Sequence, residues 1–172
     1  MKLSKILAIT AIMTGTLTGL TSCGSDPVAA IATAASKGTM SATIDGQGFT
    51  ANLSTVKTSS SITTISGGIV GSSGTTGTTK QLTFSGNLPA TGTYVLGNGG
   101  IISANPIAAT YSEASSTVGG SNNLINYGAT TGELKITELT SSKIKGTFNF
   151  SGYDLNSKKT ITVANGVFDI NF

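Results

Sequence analysis

From Met40 to the C-terminus, apolar and polar residues alternate with a period of two, and no stretch carries a convincing helical period. Met40, Ala42 and Ile44 alternate with Ser41 and Thr43, and beyond Asp45-Gly46-Gln47-Gly48 the pattern resumes with Phe49, Ala51 and Leu53. A two-residue turn at Gly46-Gln47 pairs Ile44 with Phe49, Ala42 with Ala51 and Met40 with Leu53, with Gly placed as a type II′ turn requires. Further runs are marked by Leu82 and Phe84, Tyr94 and Leu96, Ile107, Ala109 and Tyr111, Ile125 and Tyr127, and Leu134 and Ile136. Ile144, Phe148 and Phe150 share one face of a run whose other face carries Lys143, Lys145, Thr147 and Asn149. Residues 61–70 read as a weaker strand interrupted by Gly67-Gly68, and the Ser/Thr/Gly-rich stretches 71–79, 97–105 and 112–123 as loops. Near the end, a type I′ turn at Asn165-Gly166 would pair Val163 with Phe168 and Ile161 with Ile170. One long final strand bulged at Gly166 explains the same shift of apolar phase.

This pattern predicts an all-β domain of about 9–11 short antiparallel strands, in a β-sandwich or a partly open β-barrel. One face of each strand is apolar and the other is rich in Ser, Thr or Lys, as in sheets with one wet side. Many runs are only five to seven residues long, whereas a strand of a membrane-spanning barrel needs about nine to eleven. The expectation is a soluble β domain.

Residues 1–23 depart from this pattern. Lys2 and Lys5 precede an apolar stretch from Ile6 to Leu20, too short and too rich in Thr and Gly for a membrane span of about 20 apolar residues. The stretch ends in Leu20-Thr21-Ser22-Cys23, which resembles the bacterial lipobox. That resemblance implies cleavage before Cys23, a diacylglycerol thioether on its sulfur and an acylated amino group. Gly24 rather than Asp follows the Cys, which by resemblance to the sorting rule of enteric bacteria implies the outer membrane, on its periplasmic face or at the cell surface. Residues 24–38 lack alternation and read as a tether, able to span roughly 20 Å as a flexible chain. The expected organisation is a signal peptide over 1–22, a lipidated tether over 23–38 and a β domain over 39–172.

Composition narrows the chemistry. The 172 residues include no His, no Trp and one Cys, and all ten basic residues are Lys. A Ser-His-Asp triad, a His- or Cys-cluster metal site, an internal disulfide and a bidentate guanidinium clamp are thereby excluded. The formal charge of +3 and pI near 9.1 suggest an acidic partner at first sight. Removing residues 1–22 takes away Lys2 and Lys5 and leaves eight Lys against seven acidic residues, so the basicity belongs largely to the export signal.

ATIDGQGFTA (42–51), GTY (92–94), GELKIT (132–137) and IKGTFNFSG (144–152), leading to ITVANGVFDI (161–170), resemble the body of a family of small Bacteroidota lipoproteins with a domain of unknown function after the lipobox. The resemblance spans roughly residues 39–172 and implies a fold class and a location, not an activity.

The acidic residues beyond the tether are Asp45, Glu113, Glu133, Glu138, Asp154 and Asp169. Glycoside hydrolysis by two carboxylates needs two of them facing one cleft. Glu133 and Glu138 are an odd number apart on one strand and should face opposite ways, Asp45 suits a turn, and Glu113 falls in a polar stretch. Asp154 and Asn156 in DLNS (154–157) could offer oxygens to calcium or simply shape a hairpin loop. Lys143, Lys145, Lys158 and Lys159 form a basic cluster that converges if 143–151 and 159–165 pair, either touching an anionic glycan or lipid headgroup or protecting a sheet edge. Tyr153 breaks phase with Phe148 and Phe150 and, with Lys143 and Lys145, is the candidate ligand platform. No catalytic residue, cofactor or metal ion is expected. Cys23 is the expected lipidation site. The reading that follows is an outer-membrane-anchored lipoprotein, a non-enzymatic binding or structural component of the envelope. Its partners are the membrane, through the anchor, and a glycan or envelope protein, with no nucleic acid. A carbohydrate-binding accessory lipoprotein and a two-carboxylate hydrolase are the alternatives.

Overall fold

The computed structural model describes residues 37–97, 107–120 and 122–172. The signal peptide, Cys23 and nearly all of the tether lie outside the described residues, as does most of the expected loop 97–105. Ten strands follow one another: β1 (Lys37–Ile44), β2 (Gln47–Thr50), β3 (Leu53–Ser59), β4 (Ile62–Ser73), β5 (Thr76–Gly86), β6 (Gly92–Gly97), β7 (Ala108–Thr117), β8 (Asn122–Leu139), β9 (Lys143–Asp154) and β10 (Lys159–Asn171). They form one antiparallel sheet in the order β2-β1-β10-β9-β8-β7-β5-β4-β3. The 18-residue β8 pairs with β7 along its first part and with β6 along its second. The all-β antiparallel expectation holds, and the strand number falls within the expected range.

The sheet curls so that distant strands face each other across one core, in the manner of a sandwich. Phe84 of β5 packs on Phe148 of β9, with ring centroids 4.7 Å apart. Met40 of β1 lies so close over Gly67 of β4 that a Cβ there would sit 2.5 Å from its sulfur. Gly67 therefore continues β4 and makes room for Met40, where the sequence suggested an interruption. The sheet is not closed into a barrel. Its edge strands β2 and β3 are joined only by Ala51-Asn52, and the backbone there bonds both ways, Ala51 N to Met40 O at 2.8 Å and Asn52 N to Gly68 O at 2.9 Å. The Asn52 side-chain amide bonds reciprocally with the Val70 backbone at 3.1 Å, standing in for a strand residue at the bend.

Several expectations are corrected. The first hairpin turns at Asp45-Gly46, not Gly46-Gln47: Ile44 pairs with Gln47 and Ala42 with Phe49, while Leu53 belongs to β3. Asp45 and Gly46 both have positive φ, 47° and 81°, which is the type I′ geometry whose twist matches the strands. The shift is two residues, so Met40, Ala42, Ile44 and Phe49 still face the core. At the C-terminus, the alternative of one long bulged strand holds. β10 runs unbroken with a register shift between Val163 and Gly166, and Asn165 adopts φ 53°. That extra residue turns both Val163 and Phe168 inward.

Residues 71–73 and 76–79 continue β4 and β5 around a turn at 74–75, and residues 112–117 continue β7. These stretches lack apolar alternation, but their hydroxyls bridge the strands, Thr76 to Thr117 at 3.2 Å and Thr78 Oγ1 to Gly71 O at 3.4 Å, as Thr64 to Ser85 at 3.1 Å and Ser66 to Thr83 at 3.3 Å do further along β4 and β5. Thr suits a strand without needing a core behind it. Strands are consequently longer than the five to seven residues expected, up to 18. Yet the outward faces of β5 and β9 remain polar, the inverse of a lipid-facing band.

Candidate functional site

The strands alternate up and down, which sorts their ends. The start of β1, the end of β10 and the start of β9 share one end, where Lys37 and Lys143 both pair with Asn171. The Asp45-Gly46 turn, the 74–75 turn and residues 155–158 gather at the other. There the inner face carries a cleft of about 190 Å³.

The first hairpin forms one wall. Asp45 is held in its left-handed turn by β10: its backbone N donates to Thr162 O at 2.9 Å, and its Oδ1 accepts from Thr162 N at 2.7 Å. Ile44, Gln47, Gly48 and Phe49 line the cleft beside it, together with Ile161 of the adjoining β10. The opposite wall is a cross-strand array in which Lys80 of β5 pairs with Glu113 of β7, and Tyr111 of β7 with Tyr127 of β8. The two tyrosine rings stack with centroids 6.1 Å apart, and Phe49 meets Tyr111 edge-on at 6.4 Å.

Glu113 is the polar centre of the cleft. Its Oε1 accepts the Tyr111 phenol at 2.6 Å and lies 3.4 Å from Lys80 Nζ. Burial, and secondarily the Glu113 carboxylate, pushes the Tyr111 phenol far above its ordinary range. Tyr127 is raised for the same leading reason, with Glu113, Asp154 and Asp45 adding to it. The Tyr111 phenol is thus held as a neutral donor to Glu113. Sequence reasoning placed Asp45 in a turn and Glu113 in a loop; only the curl of the sheet brings them to one cavity. Tyr111 was legible as a core position but not as a ligand to Glu113.

The other candidates are scattered. Asp154 is buried beneath the 155–158 turn, where its Oδ1 accepts from Ser157 N at 2.5 Å and its Oδ2 from Asn126 N at 3.3 Å. The Ser157 amide holds its carboxyl below the usual carboxylate range. DLNS thus forms a hairpin loop whose acid is engaged by backbone. Among the described residues no group of three or more His, Cys, Asp or Glu side chains is gathered as a metal ion would need.

Lys143 and Lys145 sit at the opposite end of β9 from Tyr153, about 30 Å away along a strand rising about 3.3 Å per residue. Lys143 lies 3.5 Å from Glu138 and 3.3 Å from Asp169, and Lys145 3.5 Å from Asp169. The Asp169 carboxylate raises the affinity of Lys143 for its proton. Lys158 ends the 155–158 turn and Lys159 begins β10 opposite Asp154, so the four lysines do not converge. The tight turn after β9 folds β10 back antiparallel, which sends them to opposite ends. Glu133 and Glu138 both point outward, because a register shift between Ile136 and Glu138 reverses the parity and puts Glu138 opposite Lys145. Tyr153 is half-buried on the outer face, opposite Gly128 and Thr160.

A family model described as a domain of unknown function, DUF6252, matches residues 36–169, nearly the whole described sheet. The chain belongs to the DUF6252 family. No curated protein and no solved structure matches it. The strand-turn motifs noted in the sequence fall within the DUF6252 region, save Ile170 at the end of the last one, and every cleft residue lies inside it.

Proposed function

We propose that this DUF6252 chain is an outer-membrane lipoprotein, acylated at Cys23, whose β domain is a non-enzymatic binding component of the envelope. The observation that carries the binding role is the cleft: a concave site at the mouth of a curled sheet, with an apolar floor and a few convergent polar groups. Its carboxylates accept hydrogen bonds from protein donors, an arrangement suited to charged acceptors for a ligand rather than to a proton donor for a leaving group.

The anchor reading rests on Leu20-Thr21-Ser22-Cys23 after the apolar stretch. A tether leading into the start of β1 would join the domain at the end away from the cleft, holding the cleft clear of the membrane. Two or three acyl chains anchor firmly, since each buried CH₂ contributes roughly 0.8 kcal/mol. Cys23→Ala should release the protein from the membrane fraction and abolish acyl labelling; unchanged fractionation would refute the anchor. Protease treatment of intact cells then distinguishes surface from periplasmic exposure.

A second reading, glycan binding on the outer face, is favoured by Tyr153. It lies in a cross-strand row with Thr83, Thr110, Gly128 and Thr160, and nothing lies within 4 Å of a Cβ placed on Gly128. Retention on a glycan affinity gel that is lost in Tyr153→Ala would support it, and no retention on any glycan would end it.

A further inference from the structure

The charges facing the cleft do not balance. Asp45 and Glu113 both line it, and Lys80 is the single basic side chain among the lining residues. The Lys80–Glu113 pair is itself accessible, with side chains 52 % and 38 % exposed. Pairs of that kind contribute little net stability and exchange readily for another cation. Glu113 is nonetheless fixed in place, because the buried Tyr111 phenol donates to it at 2.6 Å. Asp45 is fixed by Thr162 N at 2.7 Å. Two positioned carboxylates thus stand over a floor of Ile44, Phe49 and Ile161, with Lys80 as a loosely held counter-ion.

We propose that the cleft binds a small organic cation, a primary ammonium on a short apolar body, with the ammonium taking the place of Lys80 on Glu113 and the body resting on the apolar floor. A cavity of about 190 Å³ suits this class: an equal volume of liquid water would hold about six molecules, room for one short chain and its head. The proposal rests on the cleft being a binding site, the reading given above, and adds the class of ligand.

The test titrates the protein separately with n-hexylammonium, hexanoate and glucose. Calorimetry follows affinity, and the ring resonances of Tyr111 and Tyr127 report on the site. The expected result is binding of hexylammonium alone, with both rings perturbed. Glu113→Gln, which retains an acceptor for Tyr111, should weaken that binding at least tenfold. Lys80→Met should tighten it several-fold by removing the competing ammonium, a gain that a merely structural lysine would not produce. Hexanoate or glucose moving the rings in place of hexylammonium would overturn the cation class and leave the cleft reading standing. Rings unmoved by all three would overturn the cleft reading as well. Hexylammonium binding unaffected by Glu113→Gln would overturn the proposal, since the amine would then sit elsewhere.

Discussion

Replacing Gly166 by Ala tests the bulge that lets β10 serve both ends of the core. A Cβ at Gly166 would lie 2.3 Å from Phe148 Cδ2 and 2.4 Å from its Cε2, more than 1 Å inside ordinary van der Waals contact. The Phe148 ring cannot yield freely: it packs on Phe84 at 4.7 Å and stacks on Phe168 at 6.2 Å. Overpacking of this kind costs about 2–3 kcal/mol, or a fall in Tm of roughly 8–12 °C for a domain of this size. Gly77→Ala is the control, because nothing lies within 4 Å of its Cβ position; removing a strand glycine there should gain up to about 1 kcal/mol. Urea denaturation followed by circular dichroism reads both, with the midpoint moving and the slope unchanged. Asn165→Ala, at φ 53°, isolates the backbone share of the bulge and should cost about 1 kcal/mol. Equal midpoints for the Gly166→Ala and Gly77→Ala proteins would refute the close approach of β10 to the Phe148 ring.

Other predictions follow from the same contacts. Tyr111 and Tyr127 have raised folded-state pKa values, so their stabilisation is complete below the unfolded value near 10 and declines as pH rises past it. Stability should fall by up to about 1.4 kcal/mol per pH unit for each tyrosine, and native protein at pH 11 should show less phenolate absorbance than the urea-unfolded chain. Asp154 has the opposite sign: its lowered pKa stabilises the fold above the unfolded value near 3.8, and the benefit disappears as pH falls through the folded value. Asp154→Asn should therefore melt below the unsubstituted protein at pH 7, and the gap should narrow below about pH 4. Asn52→Ala removes both side-chain bonds to Val70 at the seam and should cost roughly 1–2 kcal/mol in urea denaturation. Exchange of the Val70 amide should speed up along with it.

Much of the architecture was legible in the sequence because a strand's inward positions must be apolar wherever a core lies behind them. Phe84, Leu134, Phe148 and Ile144 announced themselves in this way, and all are buried. The reading failed where that coupling is absent. Residues 71–79 and 112–117 carry strands beyond the core, held by the sheet ladder and by hydroxyl bonds such as Thr76 to Thr117 and Thr78 to Gly71 O, which leave no apolar period. Turn position failed differently: Asp-Gly and Gly-Gln are both plausible turn pairs, and a two-residue register shift leaves every side chain on the same face, so the pattern could not separate them.

The cleft shows the same division. Its rings were visible as core positions, but its charge arrangement was not, since Asp45, Lys80 and Glu113 lie on three segments whose meeting depends on the curl of the sheet. Local chemistry by itself determined the strand period, the missing His, Arg and Trp, and the Leu20–Cys23 motif, because each is written in consecutive residues or in composition. Tertiary structure decided the register of the first hairpin, the bulge at Asn165-Gly166, the separation of Lys143 from Lys158, and the partnership of Tyr111 with Glu113. Those outcomes depend on which strands pair and how far the sheet curls, and they are settled by packing between residues far apart in the chain.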